Sequence, residues 1–391
     1  MAEWQKVKIG DICRSVSNTY DRNDRQVVLV NTSDVLDGKI LNHYLVSNTN
    51  LKGQFKKTFI QDDILYSEIR PANRRFAFVD FTQTENYIAS TKLMIIRADK
   101  AKVRPRFLFA ILKSESIINE LQILAETRSG TFPQITFNAE LAPMEINLPD
   151  LDTQDKIVSV LSAVEGKIEK NIEINNNLQQ QAGTLFAEYF LSFSNLPSGW
   201  RKGNLLDIAE YLNGLAMQKF RPKEGEIGLP VLKIKELRQG FCDADSELCS
   251  PTIRSDYLIH DGDVIFSWSG TLLVDLWCGG DCGLNQHLFK VTSSKFDPWF
   301  YYLWTNYHLT KFVAIATDKA TTMGHIKRED LAKAEVLIPN SEDYNKIGAV
   351  LRPVLSMVIS NRIENKKLSA LRDSLLPKLM SGEIDVSDIE I

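Results

Sequence analysis

Nowhere in the 391 residues does an apolar run approach the length of a membrane span, which takes about 18 consecutive apolar residues. The opening "MAEWQKVKIG" has no apolar core of the kind a secretory signal needs. The five cysteines are odd in number, so an oxidising compartment would leave one unpaired. Three residues separate Cys278 from Cys282 and six separate Cys242 from Cys249, and neither spacing matches a familiar zinc pattern. The histidines (His43, His260, His287, His308, His325) are scattered, without HxH or HExxH spacing. A cytoplasmic chain that holds no metal is the expectation. There is no GxxxxGK[ST] to cradle a phosphate and no G-x-S-x-G elbow around any serine.

Charge of one sign is also missing in bulk, the formal net charge being −4. Nucleic-acid binders usually look basic overall, but a steering field needs only one positive face. Residues 51–110 hold 12 Lys+Arg against 6 Asp+Glu, whereas residues 381–391 form an acidic tail with Glu383, Asp385, Asp388 and Glu390. The total therefore does not decide the question.

What the sequence does contain is itself, twice. "LPDLDTQDKIVSVLSAV" from Leu148 returns as "IPNSEDYNKIGAVLRPV" from Ile338, an offset of 190 residues. "WQKVKIGDI" matches "WRKGNLLDI", "DDILYS" matches "GDVIFS", "VRPRFLFAIL" matches "FDPWFYYLW", and "LAPMEINLP" matches "LAKAEVLIP", all in the same order. The period is far too long for a solenoid and marks two copies of a whole unit.

Each copy has two parts. Residues 1–149 and 193–339 carry short apolar runs such as "VVLVN", "KLMIIR", "DVIFSW" and "HLFKV", punctuated by Gly, Pro, Asn and Asp. They read as compact α+β domains, with helices at "RFLFAILKSESIINELQILAE" and "WFYYLWTNYHLTKFVAIA". Residues 150–192 and 340–380 differ. Apolar residues near heptad spacing run Ile157, Leu161, Val164, Ile168 and Leu178 in one, and Ile347, Leu351, Val354, Val358 and Leu368 in the other. A 40-residue helix is about 60 Å long and cannot bury such a stripe alone. The fold class expected is therefore α+β: two homologous mixed α/β domains separated by two long helices, packed as an antiparallel intramolecular coiled coil with pseudo-twofold character. Asp152 and Ser341 stand where N-caps belong. Asn171, Asn175, Asn361 and Asn365 lie near the seam or face solvent. Pro353 should kink the second helix and Pro377 should end it, while Gly183 weakens the first.

A pseudo-symmetric chain with two unlike domains suits a ligand with two unlike half-sites at a fixed separation, and DNA has that geometry. The two helical segments, with Pro149, Gln154 and Ile157 of a "P-x-x-x-x-Q-x-x-I" pattern, the ending "LRDSLLPKLMSGEI" and the opening "WQKVKIGDI", resemble the specificity subunits of type I restriction–modification systems over essentially the whole chain. Tyr344 departs from the pattern, standing where the second copy should have Gln. The resemblance implies a non-catalytic subunit whose target recognition domains (1–149 and 193–339) bind a bipartite asymmetric double-stranded DNA sequence, one half-site each. It implies that the helical spacers set the gap and dock two methyltransferase subunits, with two restriction subunits in the full complex. S-adenosylmethionine, ATP and Mg²⁺ would sit on those partners, and no cofactor on this chain.

Two strings compete with that picture. "DPWF" (297–300) departs from the D-P-P-[FY] of adenine methyltransferases at Trp299, and no glycine-rich loop precedes it. Pro149-Asp150 with Glu165-Gly166-Lys167 spells the P-D…E-x-K of a metal nuclease, but Glu165 and Lys167 would lie roughly 200° apart on one helix, and Met357 replaces the lysine in the second copy.

Base reading favours Arg or Lys on guanine and Asn or Gln on adenine. In the first domain "EIRPANRRFAF" offers Arg70, Asn73, Arg74 and Arg75, and "ETRSGTFPQITF" offers Arg128, Ser129, Thr131 and Gln134. In the second domain the candidates are Lys219, Arg221, Lys233 and Lys235, then Ser269 and Thr271 of "SWSGT", and Thr321, Thr322, His325 and Lys327. Each of these can equally be a solvated surface group. A specificity subunit whose partner fuses methylation and cleavage, or a duplicated coiled-coil scaffold that never meets DNA, fits the same repeat.

Overall fold

The computed structural model describes residues 4–21, 24–49, 53–128, 131–318 and 325–389. The chain divides into two compact units, residues 1–165 with 370–391 and residues 166–369. Among the described residues no helix is long and apolar enough to cross a membrane.

In the first unit, Gln5–Lys8 pairs antiparallel with Glu145–Leu148 and closes the domain on its own ends. One antiparallel sheet runs Cys13–Val16, Leu93–Ala98, Ile64–Ser67, Phe76–Phe78. A second runs Leu45–Ser47, Gln26–Val30, Tyr87–Ser90, Phe55–Lys57, with its central pair parallel. Strand side chains alternate between faces, and both faces of the first sheet are used. Ile64, Tyr66, Phe76, Phe78, Met94 and Ile96 share a core with Phe107, Leu108 and Ile111 of helix α1 (Pro105–Leu112). The alternate residues Leu65, Ala77, Leu93 and Ile95 meet Val28, Val30 and Ala89 of the second sheet. Burial on both sides is why "DDILYS" and "KLMIIR" read as unbroken apolar runs.

The second unit repeats these three sheets strand for strand, and among its described residues nothing matches the first unit's further pair, Val35–Leu36 with Lys39–Ile40. Its closing pair is Arg201–Asn204 with Glu335–Ile338. Its sheets run Glu210–Asn213, Leu288–Thr292, Val264–Ser267, Leu273–Leu276, and Leu248–Cys249, Leu229–Leu232, Cys282–Leu284, Leu258–Ile259. The central pair of the latter, Leu229–Leu232 with Cys282–Leu284, is again parallel. The helical parts differ. The first domain's expected single helix is broken after α1, and α2 spans Glu115–Arg128. Ser114 starts α2, accepting at its carbonyl from the Ile118 amide at 3.0 Å, as befits a residue that prefers caps to helix interiors.

The long helices are α3 (Leu151–Leu191) and, after α4 (Pro298–Asp318), α5 (Ser341–Ser381). Their caps lie earlier than the sequence suggests. Asp150 Oδ1 accepts from the Thr153 amide at 2.8 Å, and Asn340 Oδ1 from the Asp343 amide at 2.9 Å. Asp152 instead pairs with Lys156 at 3.3 Å, one turn on. The second helix runs on through both prolines. Pro353 and Ala349, whose carbonyl loses its usual donor to the proline, are both exposed, so no buried polar group need go unpaired there. Pro377 does not end α5 either. The stop comes at Gly382, in the left-handed region at φ +75, with the Glu383 amide donating back to the Lys378 carbonyl at 3.0 Å.

The helices pack on each other within each unit. In the first, Ile157 and Leu161 enter the same core as Leu375, Leu376 and Leu379. In the second they run antiparallel, and the four asparagines lie in the contact. Asn171 Nδ2 donates to Asn365 Oδ1 at 2.8 Å and Asn361 Nδ2 to Asn175 Oδ1 at 2.9 Å. Asn365 then donates to the Ile168 carbonyl and Asn175 to the Val358 carbonyl, each at 3.2 Å. Exchanging the copies of the repeat turns Asn171 into Asn361, Asn365 into Asn175 and Ile168 into Val358, so this bond pattern maps onto itself. Of the apolar positions, Ile157, Leu161, Ile347, Leu351 and Val358 are buried, and Val164, Ile168, Leu178, Val354 and Leu368 are half-buried. Ala182, Phe186, Phe190 and Leu355 are buried too, which the heptad count passed over.

Candidate nucleic-acid interface

Two segments that the sequence separates by some sixty residues meet in the first domain. Residues 68–75 join two strands of the first sheet, and residues 131–137 follow α2. The Ile135 amide donates to the Glu68 carbonyl at 2.8 Å and the Arg70 amide to the Pro133 carbonyl at 3.2 Å. Lys92 bridges the pair, with Nζ 3.0 Å from Gln134 Oε1 and 3.5 Å from Glu68. Beside them lies a cleft of about 280 Å³ lined by Arg128, Phe132, Gln134 and Thr136.

The arginines of this loop do different work. Arg74 binds Asp37 at 3.1 Å and also Glu115, with its guanidinium 5.7 Å from the Phe76 ring centre. Burial pulls this guanidinium's pKa down, and the two carboxylates more than reverse that. Arg75 donates to the carbonyls of Ser33 at 3.0 Å and Val35 at 3.4 Å. Arg128 pairs with Glu140 at 3.0 Å. Arg70, Asn73 and Thr131 are exposed. Ser129 lies outside the described residues.

The second domain repeats the join. Ser269 bridges to His325 as Ile69 does to Gln134, and the Ile326 amide donates to the Trp268 carbonyl at 3.0 Å. Ser269 itself is buried, its Oγ 3.1 Å from His287 Nδ1, whereas Thr271, His325 and Lys327 are exposed. Thr321 and Thr322 lie outside the described residues. Trp268 donates to Asn213 Oδ1 at 2.9 Å, and its ring centre is 5.3 Å from that of His325. Trp268, Asn213 and His287 are absent from the sequence-derived set, although Trp268 stands inside the quoted "SWSGT". The remaining cations are mostly paired. Lys233 meets Glu247 at 2.8 Å and Arg221 meets it at 3.5 Å, while Lys235 meets Asp243 at 2.9 Å. The hydrogen bond from Lys235 leads the causes that hold the Asp243 carboxyl down at about 2. Lys219 is exposed.

The strings that suggested catalysis are used for structure. Asp150 caps α3, Glu165 binds Lys113 at 2.5 Å, and Lys167 lies 3.4 Å from Glu364. In "DPWF", the Asp297 carboxylate takes hydrogen bonds from Tyr344 at 3.2 Å and Arg352 at 2.7 Å. Burial pushes this carboxyl up, but the Arg352 hydrogen bond and charge, with Tyr344, bring it below the usual range. The same contact explains the departure at Tyr344. Gln154 Oε1 accepts from the Arg104 amide at 2.8 Å, and its amide donates to the Pro149 carbonyl at 2.8 Å. Tyr344 Oη accepts from the Asp297 amide at 2.7 Å. Arg104 and Asp297 are matched positions immediately before "P" in both copies, so Gln and Tyr satisfy the same backbone donor.

Comparison with known proteins agrees with this architecture. The model of the type I restriction modification DNA specificity domain matches residues 1–180 and again 197–371. The type I restriction enzyme HindI specificity subunit of Haemophilus influenzae is 28% identical, covering 98% of this chain and 100% of that protein. The MjaIX specificity subunit of Methanocaldococcus jannaschii is 25% identical over 74% of this chain and 71% of its own. The S subunit of a type I restriction-modification system from M. genitalium, 13% identical, superposes with a TM-score of 0.55 over 97% of this chain and 96% of that one. With the family model matched across both halves of a duplicated α+β chain, this protein belongs to the specificity subunits of type I restriction–modification systems.

Proposed function

We propose that this chain is the non-catalytic subunit that reads a bipartite, asymmetric double-stranded DNA target, one half-site per domain. The long helices set the unread gap and dock two methyltransferase subunits, and two restriction subunits complete the assembly. S-adenosylmethionine, ATP and Mg²⁺ then belong to those partners, and this chain works in the cytoplasm without a cofactor of its own. The observation that carries the reading is the matched join of two loops in both domains, built from unlike side chains. The same scaffold thus presents Arg70, Asn73 and Gln134 in one domain, and Thr271, His325 and Trp268 in the other. Two unlike surfaces on one scaffold are what two unlike half-sites require.

The test is selection from a random duplex library by this chain copurified with its methyltransferase partner. A split motif of two unlike halves around a fixed gap is the expected result. Retained DNA without a shared motif reduces the chain to an electrostatic binder. No retained DNA supports a scaffold role instead.

A further inference from the structure

Arg70 stands in the left-handed region, at φ +44 and ψ 78, immediately before Pro71. A side chain with a Cβ avoids that region, and a following proline pushes its predecessor toward extended backbone. Glycine fits there at no steric cost. The second domain uses that solution in the matched loop, where Gly270 takes the left-handed position at φ +65.

The surroundings of Arg70 hold it in place. Its amide donates to the Pro133 carbonyl at 3.2 Å, and its carbonyl accepts from the Asn73 amide at 2.9 Å. The Ala72 amide donates to Gln122 Oε1 at 3.0 Å, and Pro71 is buried. On the far side of the turn, Arg74 is locked by Asp37 and Glu115. Strained residues persist only where the structure over-determines them, and they cluster at ligand sites. Arg74 takes the left-handed region too, at φ +52, but its guanidinium is spent on Asp37 and Glu115, whereas the side chain raised by the strained Arg70 is exposed.

We infer that Arg70 reads a guanine in the first half-site, and that Arg74 and Arg75 are positioning residues that hold its loop; this rests on the DNA reading proposed above. A guanidinium grips the O6 and N7 of guanine with two hydrogen bonds, and the second domain has no arginine in its matched loop.

The experiment compares library selection and thermal unfolding for the full chain with its partner, as wild type, Arg70→Gly and Arg74→Ala. Arg70→Gly relieves the backbone and removes the guanidinium together. Its unfolding midpoint stays or rises, while preference for G·C at one position of one half-site falls roughly 5- to 150-fold. The other half-site is unchanged. Arg74→Ala lowers the midpoint and weakens the whole first half-site without singling out one base pair. A motif that survives Arg70→Gly intact overturns the assignment alone. An even loss across all sequences also overturns it, marking Arg70 as a phosphate contact. A wild-type chain that selects no split motif overturns the DNA reading and this inference with it.

Discussion

Replacing Asn175 by Ala removes two hydrogen bonds from the helix contact, one with Asn361 at 2.9 Å and one with the Val358 carbonyl at 3.2 Å. Each contributes about 1 kcal/mol net. Asn361 is 8% exposed, so its side-chain amide is left without a partner and without ready access to water, which costs about 1–3 kcal/mol more. The single variant should therefore lose about 3–5 kcal/mol. In the double variant Asn175→Ala/Asn361→Ala the stranded donor is gone and the shared bond is lost only once, so the loss should fall short of the sum of the singles by about 2–4 kcal/mol. Asn365 is the repeat copy of Asn175 and makes the matched bonds with Asn171 and Ile168. Its replacement should cost less, about 2 kcal/mol for the two bonds, because the Asn171 amide still donates to Glu364 at 2.7 Å. Urea unfolding of the full-length variants measures all four values. Additivity of the two singles within about 0.5 kcal/mol would refute the argument, because it would mean that the two amides do not depend on each other.

Tyr344→Phe strips the group that satisfies the Asp297 amide and should destabilise the protein by about 1–3 kcal/mol. Tyr344→Gln, the residue of the first copy, should recover part of that in the same denaturant titration. His308 is buried against Trp304, 2.8 Å from the Glu335 carbonyl, and burial lowers its pKa below the ordinary value. A depressed value means that the unfolded chain takes up the proton first. The stability this residue contributes is thus present above about pH 6.5 and is lost as pH falls from there through the lower folded value. Unfolding midpoints measured from pH 7.5 to 5 should show that slope, and His308→Phe should flatten it.

Much of the site's framework was legible because it depends on local pattern. Runs such as "DDILYS" and "GDVIFS" are apolar on both faces and form central strands in both domains. The heptad stripe announces a helix pair whose partner must come from the other copy. The ends of those helices were less legible. Asp150 and Asn340 take the caps from Asp152 and Ser341, since a cap is decided by where the chain turns into the helix. Pro377, a helix breaker by its own chemistry, sits exposed in α5, and Gly382 makes the stop.

The sequence by itself determined the duplication, the two α+β domains and the paired helices, because repeat offset and hydrophobic period need no knowledge of distant contacts. Only the tertiary structure decided what the polar residues do. Arg70, Arg74 and Arg75 lie within six residues of sequence and are alike there, yet Asp37 and Glu115, each some forty residues away, take Arg74, the Ser33 and Val35 carbonyls take Arg75, and Arg70 is left exposed. A charge is spent or free according to which partners the fold brings within about 3 Å of it, and spacing along the chain does not record that distance.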